Sequence, residues 1–134
     1  MSDVANTIVR LEQPELELER QDEILIRLVV RSGEDRVELG LYAEQHLRRL
    51  GEALELRVSE RNLGEFEGKR VCEGLSSESH LTLYLFREDK ETLGFAIQSK
   101  EISWLAKGAL GAAERVAWRA EVERVLGARP ARRA

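Results

Sequence analysis

Cysteine is nearly absent from this chain of 134 residues, and so are long apolar runs. Cys72 is the only cysteine, which excludes an intrachain disulfide and a cluster of thiolate metal ligands. No apolar run approaches the roughly 20 residues that a membrane-spanning helix needs. The N-terminal sequence MSDVANTIVRLEQPE lacks the basic start and apolar middle of a signal peptide. We therefore expect a cytoplasmic protein that does not enter a membrane.

Motifs for metal and nucleotide binding are also missing. The acidic stretch ELELERQDE has neither the ligand spacing nor the central glycine of a calcium loop. The glycines of KGALGAAER are not followed by the Gly-Lys-Ser/Thr ending of a phosphate loop. We expect no metal, no cofactor and no catalytic residue.

Two weak catalytic candidates remain open. His80 follows Ser76 and Ser79 and could serve as their base in an enzyme, although loop serines more often form turns. Cys72 follows Lys69 and Arg70, which would lower the pKa of the thiol if they approached it in space. A buried structural cysteine is the favoured interpretation.

Charge is distributed unevenly along the chain. Residues 1–99 contain 21 Asp and Glu against 13 Lys and Arg, whereas residues 100–134 contain 4 against 8. Acidic surface repels phosphate backbones, and only 5% of the residues are aromatic and able to stack on bases, so nucleic acid is not the expected partner. Acidic surface attracts a basic protein over about 8–10 Å in physiological salt. Ordinary solvated faces account for the same charges.

Apolar residues alternate with others in several segments, which is typical of β-strands. The predicted strands are 16–18, 24–30, 37–41, 54–59, 69–72, 81–86 and 93–97. A turn is predicted at Ser32-Gly33-Glu34-Asp35. The second face of strand 81–86 carries Tyr84 and Phe86, which predicts a central strand covered on both faces.

The apolar spacing becomes helical in two places. Leucines and alanines spaced by three and four predict a helix over 43–53. Good helix formers predict a long helix over 109–126 that ends at Gly127. The order of elements predicts a single α+β domain over residues 1–127, with a mainly antiparallel sheet of about six to seven strands and a short middle helix and long C-terminal helix packed on one side. The basic tail, residues 128–134, is expected to be disordered.

Two sets of residues are candidates for contacts with other molecules. Acidic residues alternate with leucines in ELELER, so one face of that strand is predicted to be strongly negative. The candidate partner-binding residues are Glu15, Glu17, Glu19, Asp22, Glu23, Glu65 and Glu67. The C-terminal helix has apolar residues on two sides, so a structural or assembly domain that self-associates, for example as a homodimer, is the alternative. The candidate self-association residues are Trp118, Val122 and Val125.

Residues 15–126 have a recognisable layout of acidic early strands, the helix LYAEQHLRRLGEAL, the loop LGEFEGKRVCEG, the strands HLTLYLF and LGFAIQS, and Trp104 before a terminal helix. This layout resembles that of the small bacterial immunity proteins of contact-dependent, wall-associated toxin systems. The resemblance implies a non-catalytic inhibitor that occludes a basic surface of a toxin, such as the substrate cleft of a nuclease.

Overall fold

A computed structural model describes residues 8–56, 63–99 and 103–127, and over these ranges the chain is α+β, as the sequence predicts. Two helices and nine strands lie in this part of the chain. In chain order they are β1 (Val9–Leu11), β2 (Glu15–Arg20), β3 (Leu25–Ser32), β4 (Asp35–Ala43), α1 (Glu44–Leu54), β5 (Glu65–Phe66), β6 (Lys69–Ser76), β7 (Thr82–Arg87), β8 (Leu93–Gln98), β9 (Trp104–Leu110) and α2 (Ala112–Gly127).

The first sheet contains three antiparallel strands in the order β2-β3-β4. The alternating sequence predicts all three, and the structure confirms them with longer bounds. Gly33 has a φ of 61° in the two-residue turn between Ser32 and Asp35, a left-handed conformation that glycine adopts without strain. One face of this sheet packs into the core and the other faces solvent.

The second sheet contains six strands in the order β1-β9-β8-β7-β6-β5. Neighbouring strands in this sheet are antiparallel, except that β1 runs parallel to β9. The sequence predicts one sheet of about six to seven strands, but the strands form two sheets. Of the predicted strands, 69–72, 81–86 and 93–97 lie in this one, whereas the first three form a sheet of their own. The alternation of apolar and polar residues indicates which residues share a face of a strand, but it does not indicate which strands pair.

Strand β9 and the start of α2 correct one prediction. The composition of residues 109–111 favours helix, but β9 continues through Leu110 and α2 begins at Ala112. Gly108 lies opposite Phe95 of β8, and a Cβ atom at that glycine would lie 2.6 Å from the Phe95 ring. Pairing with β8 therefore overrides the helical preference of the segment, and it requires glycine at this close approach.

The first helix begins and ends one residue later than predicted. The Nδ1 of His46 accepts a hydrogen bond from the backbone N–H of Ala43 at 3.3 Å, which satisfies one of the free donors at the helix N-terminus. Leu54 is the last residue of α1, not the first of a strand, and residues 57–59 of the predicted strand lie outside the described ranges. The short strand predicted at residues 69–72 is the first half of β6.

Both sheets and both helices contribute to one hydrophobic cluster. Leu47 and Leu50 enter it from α1, Trp118 enters it from α2, and each is at most 1% exposed. Burial of an apolar side chain of this size contributes about 1.5–3 kcal/mol relative to exposure. The same burial holds α2 against β2. Neither helix in the described ranges combines the length and apolar content needed to cross a bilayer.

A second cluster covers the other face of the six-stranded sheet. Phe66 of β5 packs on Trp104 and Phe86, with ring centroids 4.6 and 5.5 Å apart, and Tyr84 packs on Trp104 at 5.6 Å. Leu83 of the same strand as Tyr84 and Phe86 lies in the main core. The prediction that residues 81–86 form a strand covered on both faces is confirmed.

Candidate functional site

The acidic residues of β2 lie on the solvent face of the three-stranded sheet, but that face is not strongly negative. Arginines of β3 stand opposite them in register, with Arg31 opposite Glu15 and Arg27 opposite Glu19. Arg31 Nη1 lies 2.6 Å from Glu17 Oε2, and its hydrogen bond with Glu17 raises the pKa of the Arg31 guanidinium. The predicted negative face is therefore a surface of alternating charges, because the neighbouring strand supplies the cations.

The alternation of charge continues across the sheet to β4. Arg27 lies 3.7 Å from Glu19 and 3.4 Å from Glu38, and Arg36 lies 3.4 Å from the same Glu38 carboxylate. Exposed ion pairs of this kind contribute only about 0–1 kcal/mol each, and salt screens them. This face is solvated and nearly balanced in charge.

Asp22 and Glu23 form the turn between β2 and β3. The Oδ1 atom of Asp22 accepts hydrogen bonds from the N–H groups of Ile24 and Leu25, at 2.8 and 2.9 Å, and these bonds lower the pKa of Asp22. Arg20 donates to the backbone carbonyls of Asp22 and Glu23. The carboxylate of Asp22 therefore has a structural role in the turn.

Glu65 and Glu67 belong to the β5–β6 hairpin of the six-stranded sheet. Glu67 lies 2.8 Å from Lys107 Nζ, so its charge is paired, whereas Glu65 is exposed. The seven candidate acidic residues are thus distributed over two sheets, and the structure does not bring them into one cluster.

The residues proposed for self-association lie inside the chain's own core. Trp118, Val122 and Val125 are 1%, 3% and 3% exposed and belong to the main hydrophobic cluster. Their apolar pattern is therefore explained by the packing of α2 within one chain, and they offer no surface to a second copy.

The structure does not bring His80 to either candidate serine. Ser76 Oγ shares a hydrogen bond of 2.8 Å with Thr82 Oγ1, and Ser79 Oγ donates to Glu78 Oε2 at 3.0 Å. His80 is exposed, and its φ of 66° belongs to the turn that precedes β7. These contacts are those of a turn rather than of a nucleophile and its base.

Cys72 is buried, as the sequence predicts. Its Sγ donates to the carbonyl of Leu85 at 3.2 Å, and burial raises the pKa of the thiol, which disfavours the reactive thiolate. In the described ranges no three His, Cys, Asp or Glu side chains are grouped to hold a metal ion.

A groove of about 430 Å³ runs between the start of β2 and the first half of α2, and we call it the β2–α2 groove. Its volume falls within the roughly 300–1,000 Å³ of pockets that hold ligands. It is lined by Gln13, Pro14, Glu15, Leu16, Ala113, Glu114, Ala117, Trp118 and Glu121. The indole N–H of Trp118 donates to the carbonyl of Pro14 at 3.0 Å and fixes the floor.

The groove ends where α2 covers the edge of β2. The N–H of Leu18 donates to Glu121 Oε2 at 2.9 Å, and the carbonyl of Leu18 accepts from Arg124 Nη2 at 2.8 Å. Arg124 and Glu121 also contact each other at 2.8 Å. The pKa of Glu121 is lowered, chiefly by the hydrogen bond with Arg124 and to a smaller extent by the one with Leu18. Both edge-facing backbone groups of Leu18 are therefore satisfied.

Leu16 faces the same edge but meets no such side chains. In an antiparallel ladder every second residue turns its N–H and C=O away from the partner strand, so the groups of Leu16 point the same way as those of Leu18. There α2 presents Ala113 and Ala117, whose methyl groups form no hydrogen bonds. No side chain in the described ranges hydrogen-bonds to the backbone of Leu16.

The lining of the groove is acidic. Among the described residues it contains three carboxylates and no lysine or arginine. Glu121 is paired with Arg124, while Glu114 accepts a hydrogen bond from the N–H of Gly111 at 3.0 Å. Glu15 and Glu114 form no ion pair within the part of the chain that is described. Of the lining residues, the sequence indicates only Glu15 as a partner-binding candidate.

No protein-family model, curated protein or solved structure matches this chain. The resemblance to immunity proteins therefore stays a prediction, and the function has to be argued from the geometry.

Proposed function

We propose that this chain is a non-catalytic module that binds another protein, and that a basic segment of that partner enters the β2–α2 groove. The observation that carries the proposal is the composition of the lining, in which the described residues supply three carboxylates and no cation beside an open strand edge. A charged cleft with apolar walls concentrates ligands of the opposite sign. The acidic excess of residues 1–99 supports the same choice of partner.

The position of the groove supports a binding role rather than a purely structural one. Glu15 and Glu114 approach it from β2 and from α2, so carboxylates stand on both sides of a floor formed by Pro14, Ala117 and Trp118. The aliphatic stem of a lysine or arginine would pack on this floor while its cationic group reaches a carboxylate. The balanced outer face of the three-stranded sheet lacks such a floor.

The finer proposal follows the resemblance to immunity proteins. In it the chain works in the cytoplasm of a bacterium as an inhibitor that occludes a basic surface of a toxin, with no membrane and no nucleic acid as partner. Opposed charges accelerate the encounter, and desolvated pairs then fix the pose.

Capture from a lysate of the source organism tests the proposal. The wild type is compared with the double variant Glu15→Gln/Glu114→Gln, in which the glutamine at position 114 can still accept from Gly111. The matched control is Glu52→Gln/Glu91→Gln, which removes the same charge from exposed residues away from the groove. Each captured protein is purified, and its affinity for the three chains is measured by calorimetry.

We expect a partner with a basic segment that binds the wild type and the control alike and binds the groove variant at least about tenfold more weakly, a loss of about 1.4 kcal/mol. Equal binding to all three chains would contradict the proposed site. Expression of the partner with and without this chain tests the finer proposal. A partner that does not harm cells on its own would contradict an immunity-type role.

A further inference from the structure

We infer that the partner's segment binds as an additional β-strand on the edge of β2 at Leu16, with basic residues alternating with apolar ones. This inference rests on the proposed function and specifies how the segment is recognised. Addition of a strand to a sheet edge gains affinity from main-chain hydrogen bonds and specificity from alternate side chains.

The backbone of β2 provides the first reason. Leu16 offers one donor and one acceptor toward the β2–α2 groove, whereas the same groups of Leu18 are occupied by Glu121 and Arg124. A cationic side chain alone could satisfy only the carbonyl of Leu16. An extended backbone supplies both an N–H and a C=O and therefore satisfies both groups.

The two sides of the edge provide the second reason, because they differ in chemistry. Leu16 points its side chain toward the core side, where α2 presents Ala113 and Ala117, while Glu15 and Glu17 point to the solvent face. Residues directly opposite each other on paired strands point to the same face. A segment paired with β2 would thus place apolar side chains against the alanines and a basic side chain beside Glu15, whereas Glu17 is already paired with Arg31.

Charge also argues against a second copy of this chain as the occupant. Two β2 strands paired antiparallel about Leu16 would place Glu15 of each opposite Glu17 of the other. Although Arg31 pairs with Glu17, Glu15 has no ion pair in the described ranges, and like charges directly opposite on paired strands destabilise the pair. A basic segment makes the opposite and favourable arrangement.

Three synthetic peptides of equal charge test the inference by NMR titration of the full chain. The parent is acetyl-Arg-Val-Arg-Val-Arg-amide. One analogue carries N-methyl groups on both valines, and the other carries one on the central arginine. A valine opposite Leu16 shares its face, so its N–H donates to the Leu16 carbonyl in an antiparallel pair.

We expect the parent to shift the amide signals of Leu16 and Ala117. The valine-methylated analogue should bind at least about tenfold more weakly, which is the measurable effect of losing a hydrogen bond and adding a clash. The arginine-methylated analogue should bind like the parent. A loss confined to the arginine-methylated analogue would assign the parallel direction and would equally support strand addition.

Two variants of α2 locate the binding. Ala117→Trp fills the groove, and the control Ala120→Trp places the same side chain on an exposed position of the helix that does not line it. We expect only the first to abolish peptide binding. Binding that survives Ala117→Trp would overturn the inference, as would equal affinity for all three peptides or no binding at millimolar peptide.

Sedimentation of the free chain tests whether a second copy of the chain occupies the edge. A dimer that Ala117→Trp disrupts and Ala120→Trp preserves would assign the edge to a second copy and overturn the inference. The two proposals can fail separately. If a captured partner needs Glu15 and Glu114 for binding while N-methylation does not change the affinity of the peptides, the proposed function is supported and only strand addition is excluded.

Discussion

Two halves of one strand edge behave differently in this fold. At Leu18 the edge of β2 is closed, because Glu121 and Arg124 of α2 bond to its N–H and C=O. At Leu16, two residues earlier, the same helix presents Ala113 and Ala117, and a groove remains. Open strand edges invite pairing with other chains, and proteins usually cover them. The contrast indicates that one helix covers half of the edge and leaves the other half available.

The largest expected effect comes from removing Trp118, which forms part of the floor of the groove. Trp118→Ala should destabilise the fold by about 3–5 kcal/mol, because it leaves a cavity and deletes the bond to the Pro14 carbonyl. Denaturant unfolding measures the loss. Val116→Ala, at a position 69% exposed on the same helix, is the control and should change stability by no more than about 0.5 kcal/mol. A loss below about 1 kcal/mol for Trp118→Ala would mean that α2 does not depend on this contact.

Opening the closed half should have a smaller effect. Glu121→Ala removes the acceptor of the Leu18 N–H, and a part-buried donor without a partner costs about 1–3 kcal/mol. The Leu18 amide should exchange faster, and the edge should come to resemble that at Leu16. Glu123→Ala removes an exposed glutamate from the same helix and should leave Leu18 exchange unchanged. Equal effects of the two variants would show that the Glu121 bond does not close the edge.

Acid should weaken the closed half selectively. The folded pKa of Glu121 lies below its ordinary value of 4.5, chiefly because of the hydrogen bond with Arg124. The stability that this group contributes is therefore complete above about pH 4.5 and is lost as the pH falls through the folded pKa. The difference in unfolding free energy between wild type and Glu121→Gln should shrink from pH 7 to pH 3. A difference that stays constant over this range would show that the carboxylate charge is not responsible.

The charged face beside the open half should contribute least. A double-mutant cycle of Arg31→Ala and Glu17→Ala should give a coupling of about 0.2–1 kcal/mol, because the side chains of this pair are 46% and 44% exposed. The coupling should decrease in 1 M salt. A coupling above about 2 kcal/mol would show that this face stabilises the sheet far more than its exposure indicates.

The strands of the first sheet could be predicted because each has one apolar face and one solvent-exposed face. Leu16 and Leu18 alternate with glutamates, and this periodicity survives in the structure. The start of α2 could not be predicted, since the composition of residues 109–111 favours helix and only the pairing of β9 with β8 shows otherwise. Local preference yields to tertiary contacts at such boundaries.

The charge of the candidate site was harder to predict than its strands. Glu17 and Glu19 are visible in the sequence, but their pairing with arginines depends on the register that places β3 beside β2. The arginines alternate in β3 in the same way, so a register fixed by the turn before residue 25 could have indicated the pairing. The contribution of Glu114 could not have been found, because only the packing of α2 turns it toward β2.

Amide hydrogen exchange at Leu16 and Leu18, in the free chain and with saturating Arg-Val-Arg-Val-Arg peptide, tests the central claim most directly. The Leu16 amide should exchange at least about tenfold faster than that of Leu18 in the free chain, and the peptide should slow it to a similar rate. A Leu16 amide that is already as protected as Leu18 without peptide, or that is unaffected by saturation, would contradict an open strand edge that receives a partner.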